Sequence, residues 1–448
     1  LRTEAAWREQ PRGRREPRVL IVAEHASAGF GGEATLPLQY FRELLRRGVD
    51  VRMIIHARSH GELRRLFPEH AGAFRFIPDT RLHRALCRAG KLLPPALNTL
   101  TLSYASHVYT QWLARREARR LIASGVVDIV HQPIPVSPRE PSLLRRLGVP
   151  VVIGPMNGAM SYPPAFADME GAATRLARVL VSRTAAALNR VAPGKNAAST
   201  LLVANERTRR ALPIGDDFEG RVVELIENGV DTDLFRPRSA PRRSGPLRFV
   251  AMERFADFKA TDLMIEAFAR ADLPPDATLD LIGDGLERTR LEQLSRDLGV
   301  SRRVRFAGWL TREQAARHLQ GADVFLMSSL RDCGGAVVLE AMACALPVVV
   351  TAWGGPLDYV DPTCGVMVEP TDRAALIDGF AQAMARLARD PALRVQLGAA
   401  GRRRVVEQFD WQRKVDRMLE IYRDAIERDG RERGEMCSLR ASQAARGA

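Results

Sequence analysis

The chain has 448 residues, enough for two or three domains that each bury a core, and 46% of them are hydrophobic and 27% charged, the balance of a folded, water-exposed protein. It holds no run of 18 apolar residues, so no membrane-spanning helix is expected, and the opening LRTEAAWREQPRGRREP lacks the apolar centre of a secretory leader. The formal charge of +14 divides unevenly: residues 1–213 carry 33 Lys plus Arg against 16 Asp plus Glu, whereas residues 214–448 carry 34 against 37. The first half is therefore expected to face something anionic, such as a membrane surface, a lipid diphosphate, an acidic glycan or a nucleic acid. Cys87, Cys333, Cys344, Cys364 and Cys437 form no CxxC pair and have no His at zinc-finger spacing, which points to reduced thiols in a cytosolic setting.

After a basic, disordered stretch over 1–17, VLIVA, DVRMIIHA, VDIVHQ, VPVVIGP and STLLVAN read as strands, and TLPLQYFRELLRRG and WLARREARRLIASG as helices that end at glycine. The segment GFGGEA, residues 29–34, spells Gly-x-Gly-x-x-Ala, yet five residues separate it from the strand end near Ala23. The next strand ends in His56 and Ala57, where a ribose-binding acid would stand, so nicotinamide binding is a weak rival.

A connector rich in Pro and Arg, FRPRSAPRRSGP, precedes a second series: LRFVAME, ATLDLIGD, RVRFAGW, DVFLMSS, LPVVVTA and GVMVEP alternate with helical patterns. Two β/α series imply an α/β chain of two doubly wound, Rossmann-like domains facing across a cleft. The expected boundaries are 18–213 for the first domain, completed by a helix over 410–429, then a linker over 214–245 and a second domain over 246–409. Residues 430–448 read as a polar, disordered tail.

The second domain carries the sharper chemistry, in DCGGAVVLEAMACA. If a helix starts at Gly335, its first N–H groups offer an anion site beside Gly334 and Gly335, where no side chain blocks a phosphate. Glu340 falls one turn further on, above Ala336 and Val337, a spacing that suits a diphosphate and its ribose. An ordinary core helix with one exposed Glu accounts for this segment about equally well. Upstream, Arg254 and Lys259 fall between a strand and a helix, at the edge where α/β ligands bind, and two cations there would neutralise a diphosphate leaving group.

From Arg18 to about Asp429 the chain resembles the retaining glycosyltransferases of family 4, the group 1 transferases, whose fold is GT-B. The resemblance rests on DCGGAVVLEAMACALPVV, on ERFADFKA with its five-residue Arg-to-Lys spacing, and on ENGVDTDLF, LIGDG, VRFAGWL, ADVFLMSSL and TAWGGPLDYV, all in family order. It implies that Glu340 accepts hydrogen bonds from the donor ribose and that Arg254 and Lys259 bind the diphosphate. Asp332 lies beside the transferred sugar, and Gly283, Gly334, Gly335, Ala336 and Val337 complete the donor site. Gly31 and Gly32 would let the first domain's backbone close on the donor's sugar phosphate.

Three departures stand out. Asp332 is one methylene shorter than the family's Glu, Glu253 and Ala260 replace two glycines in the cation loop, and Met156 occupies an acceptor-side histidine position. Asn157, Gly158 and His131 are left as acceptor-side candidates, with a core role for His131 equally open. Asp231-Thr232-Asp233 reads as turn chemistry, so no metal and no other cofactor is expected. Cys333 reads as a small cleft-side residue rather than a nucleophile.

The implied reaction moves a sugar from a nucleotide-diphosphate donor to a glycan or lipid-linked, anionic acceptor in cell-surface polysaccharide synthesis. The implied setting is the cytoplasm, free or at the inner face of the membrane. A GT-B epimerase or phosphorylase is the alternative, with a non-catalytic basic nucleic-acid- or membrane-binding protein as a further one. At 6% aromatics and with no reader motif, nucleic acid is not an expected partner. The region from Thr80 to Arg120 interleaves Arg with Leu, Pro, Tyr and Trp, a mixture that suits either an anionic membrane surface or a solvated helix pair.

Overall fold

A computed structural model describes residues 16–29, 32–93, 98–171, 175, 185, 187–215, 218–239 and 245–446. Apolar runs too short for helices, separated by longer amphipathic ones, fold into two wholly parallel sheets. The first holds β1 (Val19–Val22), β2 (Val51–His56), β3 (Phe74–Ile77), β4 (Ile129–Gln132), β5 (Val151–Met156), β6 (Thr200–Val203) and β7 (Arg221–Glu224), in the order β3-β2-β1-β4-β5-β6-β7. The second holds β8 (Arg248–Met252), β9 (Thr278–Ile282), β10 (Val304–Gly308), β11 (Val324–Met327), β12 (Val348–Thr351) and β13 (Gly365–Val368), in the order β10-β9-β8-β11-β12-β13. Strand order reverses between β1 and β4 in one sheet and between β8 and β11 in the other. These are the two places where a doubly wound sheet opens a crevice at its carboxyl edge.

Each sheet is buried on both faces, which is why its central strands are almost continuously apolar. The helix Trp411–Arg446 returns to the first domain after the second is complete. There Trp411, Val415, Met418 and Tyr422 pack against Tyr40 and Phe41. Its entry runs beside the outgoing crossover: Val230 N donates to Phe409 O at 2.9 Å, and Trp411 N donates to Val230 O at 3.1 Å.

Three expectations change. The first sheet extends to Glu224, so the segment assigned as linker from 214 supplies an edge strand, β7, whose pattern RVVE is too short and polar to stand out. FRFI, β3, was missed for the same reason at the opposite edge. The tail from 430 is helical as far as Arg446, because a solvent-facing helix needs no apolar stripe; Arg433 pairs with Asp429 at 2.9 Å, one turn back, and donates to Gly148 O at 2.6 Å. Residues 1–15 of the basic N-terminal stretch lie outside the described residues.

Gly283 ends β9 with φ +134°, and its N–H donates to Gly308 O at 2.9 Å. A Cβ there would lie 1.8 Å from Glu253 O, at the base of the loop that carries Arg254 and Lys259. Gly283→Ala is expected to cost about 3 kcal/mol or more, seen as a clear fall in Tm. An unchanged Tm would show that the loop has room to yield.

Candidate active site

The carboxyl edge of β8 leads into the cation loop, and the edge of β11 supplies the loop with Asp332. Serine side chains bind the two together. Ser328 Oγ donates to Lys259 O and Ala260 O at 3.0 and 2.9 Å, Ser329 Oγ reaches Phe258 O at 3.3 Å, and Leu330 N donates to Phe258 O at 2.9 Å. The result is direct contact between the Lys259 ammonium and the Asp332 carboxylate, both largely shielded from solvent. Asp332 O in turn accepts from Gly355 N at 2.9 Å.

Ala260, one of the two non-glycine replacements, keeps a left-handed backbone at φ +53° and ψ +37°, the conformation a glycine adopts without strain. The other replacement does not face the ligand side as a full charge. Glu253 is 7% exposed, accepts from Thr261 Oγ1 at 2.6 Å, and is pushed up to about 7 by burial, against the pull of Lys259. Arg254 is exposed and has no hydrogen-bond or ion-pair partner among the described residues, so it is free to meet an anion.

The helix Ala336–Ala343 begins at Gly335, whose φ of +74° turns the chain into its first turn. Ala336 and Val337 are partly exposed there. Gly334 is buried for a packing reason: a Cβ would meet Asn228 Nδ2 at 2.3 Å and Glu227 Oε1 at 2.4 Å. Glu340 is half-buried, has no hydrogen-bond partner among the described residues, and is pushed up to about 7 by burial, with Arg312 drawing it back. A carboxyl group without a protein partner, one turn from a helix N-terminus, is placed to receive hydroxyl donors.

Of the first-domain glycines, Gly31 lies outside the described residues. Gly32 opens the helix Gly32–Arg46, and a Cβ there would meet nothing within 4 Å. Its bare backbone faces open space rather than a packed neighbour.

The acceptor-side candidates divide between the core and the domain junction. His131 is fully buried between Tyr40 and Tyr422; its Nε2 lies 2.7 Å from Gly154 O and its Nδ1 2.7 Å from the Tyr422 hydroxyl. Those partners make it a neutral ring with the proton on Nε2, and burial pushes it down to about 4. It fastens the returning helix and does not reach the cleft.

Asn157, 2% exposed, is an interdomain latch: its Nδ2 donates to Glu227 Oε2 at 2.9 Å and to Cys333 O at 2.8 Å, while Arg207 and Thr208 engage its Oδ1. Gly158 is likewise occupied, its N–H by Thr208 and its carbonyl by Arg207. Cys333 has its thiol pushed up to about 11 by burial, which leaves it protonated near neutral pH and a weak nucleophile. Asp231 accepts from the N–H groups of Asp233 and Leu234, as turn chemistry requires.

Sequence reasoning passed over Glu227. It is 5% exposed, joins Asn157 and Asn228 and abuts Gly334, with the buried Lys414 ammonium close by. Burial raises the Glu227 pKa and lowers that of Lys414, each opposed by the other's charge. Its only sequence signal was its place in ENGVD.

Two parallel sheets, each with its strand order reversing at a switch point and one bordered by Arg254, Lys259 and the unpartnered Glu340, define a two-domain doubly wound architecture. The crystal structure of HepE from Anabaena in complex with UDP superposes with a TM-score of 0.61 at 17% identity, covering 91% of this chain and 100% of that one. Sucrose-phosphate synthase from Thermosynechococcus elongatus does so at 0.59 and 21%, covering 92% and 99%. The fold is GT-B. Residues 235–404 match the model of the family of glycosyl transferases group 1.

Among relatives, the lipopolysaccharide core biosynthesis glycosyltransferase LpsE of Rhizobium meliloti is 38% identical over 203 residues, 45% of this chain and 54% of that protein. A D-inositol 3-phosphate glycosyltransferase of Salinispora arenicola is 32% identical over 264 residues, 53% and 57% of the respective chains. The chain thus spans about half the length of these curated relatives.

Glu253 gives the cation loop a pH signature. Its folded pKa of about 7 lies above the ordinary 4.5, so its contribution is present at low pH and is lost as pH rises from about 4.5 through about 7. Glu253→Gln keeps an acceptor for Thr261 and removes the titration. Its unfolding free energy relative to the parent is expected to rise by on the order of 3 kcal/mol between pH 4.5 and 7.5. A difference independent of pH would mean that Glu253 is ionised in the fold throughout.

Proposed function

We propose that the protein is a retaining glycosyltransferase that moves a sugar from a nucleotide-diphosphate donor to a glycan or lipid-linked acceptor in cell-surface polysaccharide synthesis. The observation that carries this is the set Arg254, Lys259, Asp332 and unpartnered Glu340 around one crevice of a group 1 transferase domain. Glu340 receives the ribose hydroxyls, and the first turn of the helix from Ala336, with Arg254 and Lys259, holds the diphosphate. As the bond from the sugar to the phosphate oxygen breaks, negative charge grows on that oxygen and the two cations stabilise it. Asp332 is already engaged by Lys259, which makes it a poor nucleophile and favours attack from the face the phosphate leaves. The acceptor's proton then passes to the departing phosphate. The relative named for lipopolysaccharide core biosynthesis supports the cell-surface assignment.

In steady-state assays across UDP-, GDP- and ADP-sugars, Glu340→Ala is expected to raise the donor KM at least tenfold, and Asp332→Ala to lower kcat at least tenfold with little change in nucleotide affinity. An Asp332→Ala enzyme with the parent kcat would remove Asp332 from the reacting centre. The protein's own cations take the place of a divalent metal, so the same assay in EDTA retains its rate; loss in EDTA restored by Mg²⁺ or Mn²⁺ would reverse that assignment.

The acceptor is reached at an anionic membrane face. No helix of the described residues is long and apolar enough to cross a membrane. The helices Arg81–Gly90 and Tyr104–Ala123 nevertheless expose Leu82 and Trp112, with Leu92 (86% exposed) just beyond the first, among Arg81, Arg84, Arg88, Lys91 and Arg116. Such a surface meets headgroups by charge and inserts a few apolar side chains. In flotation assays the protein is expected to rise with vesicles containing anionic lipid and to be released near 1 M salt, where the Debye length is roughly 3 Å. Equal recovery with neutral vesicles would refute the charge-led contact.

A further inference from the structure

The first sheet has its own crevice at the switch point between β1 and β4, a cavity of about 210 Å³ that the donor chemistry leaves unused. It is smaller than the roughly 300–1,000 Å³ of drug-sized ligand sites, a size for one sugar-sized group. Residues 1–213 carry 33 basic side chains, yet among the described residues no Arg or Lys lines this cavity; Glu24, Glu33 and Glu140 do. A local field opposite in sign to its domain is a selective feature, because approaching cations are favoured and anions are repelled within a few ångströms of the carboxylates.

Polar groups in the wall are held ready. Glu24 contacts His107 Nδ1, and the other ring nitrogen, Nε2, lies 2.7 Å from Gln111 Nε2 and 3.7 Å from Glu140 Oε2. The Gln111 amide is oriented by Leu143 N, which donates to its Oε1 at 3.1 Å, so its Nε2 is the donor to the ring. The Glu24 contact raises the His107 pKa against burial, and burial raises that of Glu140 against the pull of His107. Whether or not the ring carries a proton, the lining keeps an excess of carboxylate.

The second observation is independent of these acids. Gln132, at the end of β4, lines the cavity, is 3% exposed overall and accepts from Ser142 Oγ at 2.6 Å through Oε1, while its Nε2 has no hydrogen-bond partner among the described residues. An amide donor in a cavity wall that the protein leaves unmatched is available to a ligand oxygen. The ligand must thus bring an oxygen acceptor for Gln132 and donors, uncharged or cationic, for the carboxylates. Glu33, which receives Val136 N at 3.0 Å, connects this wall to the helix that starts at Gly32, on the side assigned to the donor's sugar phosphate.

We infer that this cavity holds the reacting end of the acceptor and selects a sugar ring that is neutral or bears an amine, rejecting one that bears a carboxylate or phosphate. The inference rests on the transferase reading above. The basic character of the first domain then serves parts of the acceptor, or of a membrane, that lie outside the cavity.

The test is ligand-observed NMR on the full chain with glucosamine, glucose, glucuronate and glucose 6-phosphate, alongside calorimetry with UDP. Glucosamine is expected to bind at least threefold more tightly than glucose, with no measurable binding of the two anions. Glu140→Gln should lessen the glucosamine preference at least threefold, and Glu140→Lys, on a side chain 41% exposed and so tolerant of change, should admit glucuronate. Binding of glucuronate to the parent as tight as that of glucosamine, a preference unchanged in both variants, or no sugar binding at all overturns the inference. UDP binding separates the two readings: if UDP binds while the sugar pattern fails, only the acceptor inference falls, whereas absence of binding by every nucleotide diphosphate removes the transferase reading itself.

Discussion

The two domains are held in register by one buried carboxyl group. Glu227 lies on the outgoing crossover, receives the Asn157 amide from the first domain, and packs so closely against Gly334 of the second that no Cβ fits between them. The Lys414 ammonium comes from the returning helix and is hydrogen-bonded to the carbonyls of Ile226 and Asn228. Burial raises the Glu227 pKa and lowers that of Lys414, and each charge opposes the other's shift, so removing either leaves the other less compensated in the interior. The crevice at Asp332 is built on this arrangement, because Asn157 also holds the Cys333 carbonyl and thereby the loop of Asp332.

The chain has four lysines against 63 arginines, and three of the four sit where a guanidinium would serve badly. Lys195 is 1% exposed, donates to the carbonyls of Ser137 and Pro138 at 3.1 and 2.6 Å, and is pushed down to about 7 by burial. Lys414 occupies a similar interior position, and Lys259 meets Asp332 at the crevice. An ammonium is compact and can shed its proton when desolvated, whereas arginine keeps its charge in every setting. The rare residue type thus marks the buried cation positions.

Much of the architecture was legible in the sequence because central strands of a parallel sheet are apolar on both faces and the helices between them carry a clear period. The edge strands FRFI and RVVE were not, since half of their surface faces water and four residues carry too little pattern. At the site, Gly335, Glu340, Arg254 and Lys259 could be placed from the local spacing of strand, loop and helix. Asn157 and His131 could not, because their burial depends on partners 23 to 291 positions away. The Lys259 and Asp332 contact had no local sign either; it arises from Ser328 and Ser329 drawing two loops together. The carboxylate-lined cavity was hidden for the same reason, its lining scattered from Val22 to Glu140 within a segment whose summed charge has the opposite sign.

The two crossovers, side by side at Val230 and Asp410, are joined to one another by backbone hydrogen bonds. They form a short two-stranded link, about which one domain could turn against the other with both cores intact. Away from it, the side-chain hydrogen bonds across the cleft among the described residues include Asn157 to Cys333 O, Asn205 to Asp358 at 2.9 Å, and Trp353 Nε1 to Ser161 O at 2.9 Å, which opening would exchange for water. Displacement grows with distance from the axis, so a modest angle at Val230 becomes a wide gap at the mouth. For such a rotation the floor of the cleft would move least, and the cleft could widen at its mouth without either sheet being disturbed.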